Sequence, residues 1–358
     1  MILEKRKTHL YQIDLVRLVA ILSVVMCHAV QGIYPLTVDF MVQYGLKGTA
    51  FSLLLFTFGR IGVPLFLMVS GYLLLDRDYD AERTKYFLKN NWLKLIITVE
   101  IWVVIYKLFL VFFEHQPFHE LDQLEEMLFL RHVPLTHYWY IPTIIGLYLL
   151  IPFVANALKS FSGGAMTVIL VILSVYTFVM PIFGVVLTAF GYPNYQDAGY
   201  FHGQGLSVNL YLLYLVYGYF IKKGFLKDVK WIYLLILSVS GFVLAYLFQI
   251  MCFSRFVGYI IWYDNGLLLI ATVPLFELLL RIKDVKLKPL VRALGVSSFG
   301  VYLLHVPVQK MIAPLMWFTD EMPIQVILSF IISLVISFAV VLLVGRIPKV
   351  GKWLFYLK

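Results

Sequence analysis

Residues Asp14–Val30 read DLVRLVAILSVVMCHAV, a run apolar enough to cross a bilayer that nevertheless carries an aspartate, an arginine and a histidine. Arg17 and His28 stand eleven positions apart. At about 100° and 1.5 Å per residue they point the same way, roughly 16 Å apart along the helix axis. One face of this segment is therefore polar at two depths, which an ordinary lipid-facing span has no reason to be.

The rest of the chain fits a membrane reading. Of its 358 residues 61% are hydrophobic and 14% charged, and the mean hydropathy is +0.88, outside the range of soluble domains. Ten apolar segments of spanning length fall at 12–30, 51–75, 95–113, 138–155, 165–190, 206–221, 231–250, 257–280, 295–318 and 324–345. Basic residues collect in alternate connections: Lys5–Lys7, Asp76–Lys94, Lys159, Lys222–Lys230, Arg281–Arg292 and the run after the last span together hold 22 of the 29 Lys and Arg. The positive-inside rule makes those connections and both termini cytoplasmic. The other loops, such as Glu114–Met127 (EHQPFHELDQLEEM), are acid-rich. The expected fold is an all-α integral membrane protein, a polytopic bundle of about ten transmembrane helices forming a single domain over residues 1–358.

Several classes are excluded on the way. The net charge of +9 is spread between apolar spans instead of forming one stripe, so nucleic acid is not an expected partner. Cys27 and Cys252 show no metal-like spacing, and no metal site is expected. A cleaved leader is disfavoured because Asp14 and Arg17 interrupt the apolar region and no small-residue cleavage site follows. Trp92, Trp231, Trp262, Trp317 and Trp353 fall near span ends, where an interfacial aromatic belt accounts for them.

Charges within a span cost ~2.5–3.5 kcal/mol each on insertion scales, so those far from an end are functional candidates. Arg17 can snorkel to the interface with Asp14 as its local partner. Arg60 lies ten residues into the second span, too deep for that, among Gly59, Gly62 and Pro64, which favour close or irregular packing. It cannot discharge by losing a proton and needs a carboxylate, carbonyls, water or an anionic ligand. Glu100, early in the third span, is either that partner or an interfacial acid. His137, Trp139 and Tyr140 open the fourth span at the outer interface, and Ser298, Tyr302 and His305 share one face of the ninth at spacings of four and three. No nucleophile elbow, zinc-binding His pair, phosphate-binding loop or paired intramembrane carboxylates compete with these residues. Histidine as general base with arginines for anions points to group transfer inside a membrane.

Four elements taken together, the Arg17–His28 spacing, GRIGVPLFLMVSGYLL around Arg60, HYWYIPTIIGLYLLIP from His137, and SFGVYLLHVPV through His305, resemble the membrane acyltransferase-3 family of bacterial O-acyltransferases. The resemblance covers nearly the whole chain and implies a multi-pass protein of the bacterial plasma membrane, with no bound cofactor. Acyl-CoA, acetyl-CoA foremost, would be the donor, and a cell-surface glycan or lipid-linked saccharide the acceptor. It implies His28 as catalytic base or acyl carrier, with Arg17 and Arg60 engaging the donor or the reacting carbonyl. Asp14, Glu100, His137, Trp139, Tyr140, Ser298, Tyr302 and His305 follow as donor- or substrate-binding residues. Arg77, Arg83 and Lys85 would help meet the phosphates of the donor. Many relatives carry an extracytoplasmic hydrolase-like domain after the bundle, and this chain is expected to work without one.

Two other classes stay open on the residues alone. Intramembrane Arg and His also mark the paths of carriers, so export of a glycan or small anion is the alternative. A non-catalytic scaffold would leave His28, Arg17 and Arg60 individually dispensable. The tyrosine-rich stretch Gly191–Gly205 suits either an aromatic belt or stacking on sugar rings.

Overall fold

A computed structural model of the protein describes residues 9–160, 163–192, 209–255 and 258–357. Lys5–Lys7, Lys358 and the tyrosine-rich stretch beyond Tyr192 lie outside the described residues. Among the described residues all regular structure is helical. The first span is α1 (Tyr11–Gln31); the second is α2 (Val38–Gly59) followed, after a turn at Arg60 and Ile61, by α3 (Gly62–Leu74). Next come α4 (Ala81–Phe87), continued through a π-helical turn at Leu88–Trp92 into α5 (Leu93–Phe112), and the short α6 (Glu120–Met127). Then follow α7 (Tyr140–Ser160), α8 (Gly163–Ser174), a second π-helical turn at Val175–Val179, α9 (Met180–Ala189), α10 (Leu210–Lys222) and α11 (Trp231–Ser254). The chain finishes with α12 (Gly266–Leu280), α13 (Lys288–Ile312), α14 (Met322–Val344) and α15 (Pro348–Leu354).

Among the described residues eight stretches are long and apolar enough to cross a membrane: Tyr11–Gln31, Val38–Leu74, Ala81–Phe112, Tyr140–Ser160, Gly163–Ala189, Trp231–Ser254, Lys288–Met316 and Met322–Val344. The other two of the ten expected are shorter. Helices α10 and α12 have 13 and 15 residues, and a 15-residue helix rises only about 22 Å against a hydrocarbon core of roughly 30 Å. Both are stopped by an asparagine cap: Asn209 accepts from the Tyr211 and Leu212 amides, and Asn265 from the Leu267 amide. The stretch 258–265, expected to be helical, is irregular backbone. Buried Gln249 of α11 holds it, accepting from the Ile260 and Ile261 amides and donating to the Gly258 carbonyl. Non-helical backbone of this kind survives at membrane depth only where protein satisfies it.

The break in the second span has a local cause. Pro64 has no N–H to return to the Arg60 carbonyl four residues earlier, so the hydrogen-bond ladder is interrupted at this point. It restarts at Gly62, with the proline in its first turn, where a missing donor costs least. Two glycines then let this break press onto α1. A Cβ on Gly59 would stand 2.5 Å from Cys27 Cβ, and one on Gly62 would stand 2.5 Å from the Ala20 carbonyl oxygen.

Helix α1 is the centre of the bundle. It packs against α2, α3, α12, α13 and α14, and 72% of its apolar window is buried, against 22% for the stretch running from α8 through α9. A segment enclosed on most sides by protein can carry polar side chains that a peripheral span cannot. Arg17 and His28 both sit on it.

Candidate active site

Three histidines from three elements meet beside α1. His28 comes from the last turn of α1, His305 from α13, and His137 from the irregular segment just before α7. Ring centroids are 5.2 Å apart for His28 and His305, 5.1 Å for His137 and His305, and 6.1 Å for His28 and His137. The segment carrying His137 is drawn into the bundle by Tyr302, whose hydroxyl donates to the His137 carbonyl. Thr136 Oγ1 lies 3.4 Å from His28 Nδ1. A small cleft opens here, lined by His28, His137, Trp139, Tyr140, Tyr263 and Tyr302, with Cys27 and Gly59 at its wall.

Neither His137 nor His305 exposes any surface. His305 Nδ1 is 2.7 Å from the Tyr302 carbonyl oxygen, which only accepts, so Nδ1 carries the proton and Nε2 is left as a bare lone pair without a partner. Burial, followed by the neighbouring His305 and His28, holds the His137 imidazole well below its ordinary 6.5, so it is neutral at physiological pH. Among the described residues no group of three His, Cys, Asp or Glu side chains is placed to hold a metal ion.

Arg60, in the turn between α2 and α3, is buried with 3% exposure. Its guanidinium carbon lies 4.1 Å from the Trp262 ring centroid, 4.3 Å from Phe56, 5.2 Å from Tyr263 and 5.5 Å from Tyr259. Aromatic faces thus supply the negative potential a carboxylate would. One donor is used, Nη1 to the Tyr263 hydroxyl at 3.2 Å, while Nε and Nη2 make no hydrogen bond within geometric limits among the described residues. Since Tyr263 also lines the cleft, the cation and the histidines are joined through one side chain.

The remaining candidates separate into those at the cleft and those away from it. Trp139 and Tyr140, also readable as belt residues, line it; Trp139 packs on Tyr263 and Tyr211 at 5.4 and 5.5 Å between centroids. Trp262, expected in the belt, is a wall of the Arg60 cage. Tyr302 is at the cleft, but its hydroxyl is spent on the His137 backbone. Ser298 is buried on α13 and does not line the cleft. Asp14 is fully buried and binds His9 and, at 3.2 Å, Arg17. Glu100, considered as a partner for an intramembrane arginine, pairs with neither Arg17 nor Arg60, and its Oε2 is buried without a partner. Arg60 is held by the aromatic cage instead. At the Arg17 end, Arg77 Nε donates to the Leu73 carbonyl at 2.8 Å and has no ion pair among the described residues. Arg83 is engaged by Asp78 and Asp80, and Lys85 is exposed.

Sequence reasoning missed Thr136, Tyr106, Tyr259, Tyr263 and Gln249. The YIIWY run at Tyr259–Tyr263 was legible only as apolar filling of a span. Its one usable signal was Asn265, a helix-cap residue in mid-span, which marks the preceding stretch as irregular.

No curated protein and no solved structure matches the chain. The family model Acyl_transf_3, described as an acyltransferase domain, matches residues 10–346, from the foot of α1 to just beyond α14. With histidines, caged arginine and cleft all inside that match, the chain belongs to the acyltransferase-3 family.

Proposed function

We propose that this membrane acyltransferase moves a short acyl group, acetyl foremost, from cytoplasmic acyl-CoA to a hydroxyl of a cell-surface glycan or lipid-linked saccharide. In this reading it crosses a bacterial plasma membrane several times, with both termini on the cytoplasmic side. The observation that carries the reading is Arg60, a buried cation with no carboxylate and two unpartnered donor nitrogens, linked by Tyr263 to the cleft that His28 lines. A fixed cation beside a histidine is what acyl transfer requires: a base for the hydroxyl and a charge for the oxyanion.

The steps follow from those positions. His28 takes the proton of the acceptor hydroxyl as its oxygen attacks the thioester carbonyl carbon. Negative charge gathers on the former carbonyl oxygen, where Arg60 stabilises it. The intermediate collapses with cleavage of the carbon–sulfur bond, the new ester forms, and the proton held by His28 leaves with the CoA thiolate as the free thiol. On the donor side Arg17 and Arg77 meet the phosphates in preference to Arg83, which Asp78 and Asp80 already occupy.

The test is incubation of the purified full-length protein with radiolabelled acetyl-CoA and a panel of glycan acceptors, for wild type and His28→Ala. Label on an acceptor only when His28 is present supports the reading. Label on the protein itself replaces direct attack by an acyl-enzyme route. A folded protein that neither binds CoA nor turns it over overturns the reading in favour of transport.

A further inference from the structure

Tyr106, in the middle of α5, is fully buried, and its hydroxyl sits between two groups on different elements. It lies 2.8 Å from the Leu303 carbonyl oxygen in α13 and 3.0 Å from His137 Nε2. The carbonyl is available for a sequence reason: the residue four positions on is Pro307, which has no N–H to complete the helical bond. A carbonyl only accepts, so the single hydroxyl proton of Tyr106 goes to Leu303. The bond to His137 must then run the other way, from Nε2–H to the tyrosine oxygen. His137 Nδ1 is left bare, and it has no partner in the buried surroundings.

We propose that Tyr106 is a positioning residue, which locks His137 as the Nε2–H tautomer so that Nδ1 stands in the cleft as a hydrogen-bond acceptor for the hydroxyl-bearing substrate. His305 Nε2, bare for an independent reason, lies behind the cleft wall, its ring 5.1 Å from that of His137 and 5.2 Å from that of His28. A substrate settling in the cleft has to bring donors, and a polyhydroxylated acceptor does. The substrate half of this inference rests on the acyl-transfer reading; the tautomer half does not. Among the described residues no other group hydrogen-bonds the His137 ring: Tyr302 holds the backbone of the same residue, and Tyr106 is the group that bears on which ring nitrogen is protonated.

The experiment has two arms on the full-length protein in detergent. In the first, side-chain 15N NMR of histidine-labelled protein identifies the His137 signal by its loss in His137→Gln and reads which nitrogen is protonated. Wild type is expected to show a bare Nδ1, and Tyr106→Phe, which keeps the ring and its packing, a mixture of tautomers. A protonated Nδ1 in wild type, or an unchanged tautomer in Tyr106→Phe, overturns the proposal. In the second arm, transfer from radiolabelled acetyl-CoA to the glycan panel is followed in wild type, His28→Ala and Tyr106→Phe. Tyr106→Phe is expected to lower kcat about 10–100-fold, less than the roughly 10²–10⁴-fold of a group that itself transfers the proton, with KM for acetyl-CoA unchanged. If wild type transfers, His28→Ala does not and Tyr106→Phe keeps full kcat, the positioning role falls while acyl transfer stands. If wild type transfers nothing, acyl transfer falls and the first arm still decides the tautomer.

Discussion

Near the start of α1, Arg17 donates to Asp14 at 3.2 Å and keeps 30% of its side chain exposed. In the break between α2 and α3, Arg60 has no carboxylate, four aromatic rings within 5.5 Å and two donors unused. Around the Arg17 end several charges are paired: Asp76 with Lys222 and Lys223, Asp78 with Lys159 and Arg83, Glu277 with Arg281. Paired charges near water are cheap to hold and, one by one, worth little. A buried cation held by aromatic faces alone is expensive, and its unused donors can answer to a substrate. In the proposed reading, the Arg17 end docks the donor and the Arg60 end carries the chemistry.

The largest expected effect tests the chemical end directly. His28→Ala should lower transfer by about 10²–10⁴-fold, the usual contribution of a general base, in the radiolabelled acetyl-CoA assay. Retained transfer would sink the mechanism. Next, Arg60→Lys and Arg17→Lys should part company. Lysine at 60 keeps the charge but loses the planar fork that stacks between rings, so kcat should fall by about 10²–10³-fold, the cost of a lost oxyanion donor. Lysine at 17 retains the charge opposite Asp14 and should show itself mainly in KM for acetyl-CoA. Equal effects on kcat would erase the distinction between the two ends.

Much of this contrast was visible in the residues. The hydropathy placed eight of the ten expected spans, the spacing of Arg17 and His28 put two polar residues on one helix, and the depth of Arg60 marked it as a charge without a plain structural role. The partner of Arg60 was not legible, because an aromatic cage is assembled from Phe56 and the Tyr259–Tyr263 loop, about 200 positions apart in sequence. Nor was the third histidine's place: His137 reads as an interfacial residue, and only the Tyr302 hydroxyl and the Tyr106 bond carry it inward. Local pattern reports which residues are out of place in a membrane. Tertiary contact decides what they face.

The approach of α2 to α1 sets Arg60 beside the histidines, and Gly59→Ala attacks that approach. The added Cβ would stand 2.5 Å from Cys27 Cβ and 2.7 Å from Cys27 Cα, atoms of a central helix that cannot swing aside. Overpacking of this kind costs about 1–3 kcal/mol. Thermal unfolding in detergent should register the loss, and transfer should fall with it. An unchanged melting temperature would show that the break is looser than its contacts say.

The smallest effect belongs to the paired end. Burial pushes the Asp76 carboxyl up, but the hydrogen bond from Lys223 and the charges of Lys222 and Lys223 outweigh it and hold the group below its ordinary 3.8. A carboxylate depressed on folding stabilises the native state above that unfolded value, and the contribution disappears as pH falls through the lower folded one. Asp76→Asn should therefore destabilise by less than about 1 kcal/mol at neutral pH, as exposed ion pairs do. The difference from wild type should fade as the melt is repeated below pH 3.8. Transfer should be untouched. A large loss of transfer in Asp76→Asn would mean that the pairs around Arg17 hold the donor site in shape, and that the two ends of the bundle are not independent.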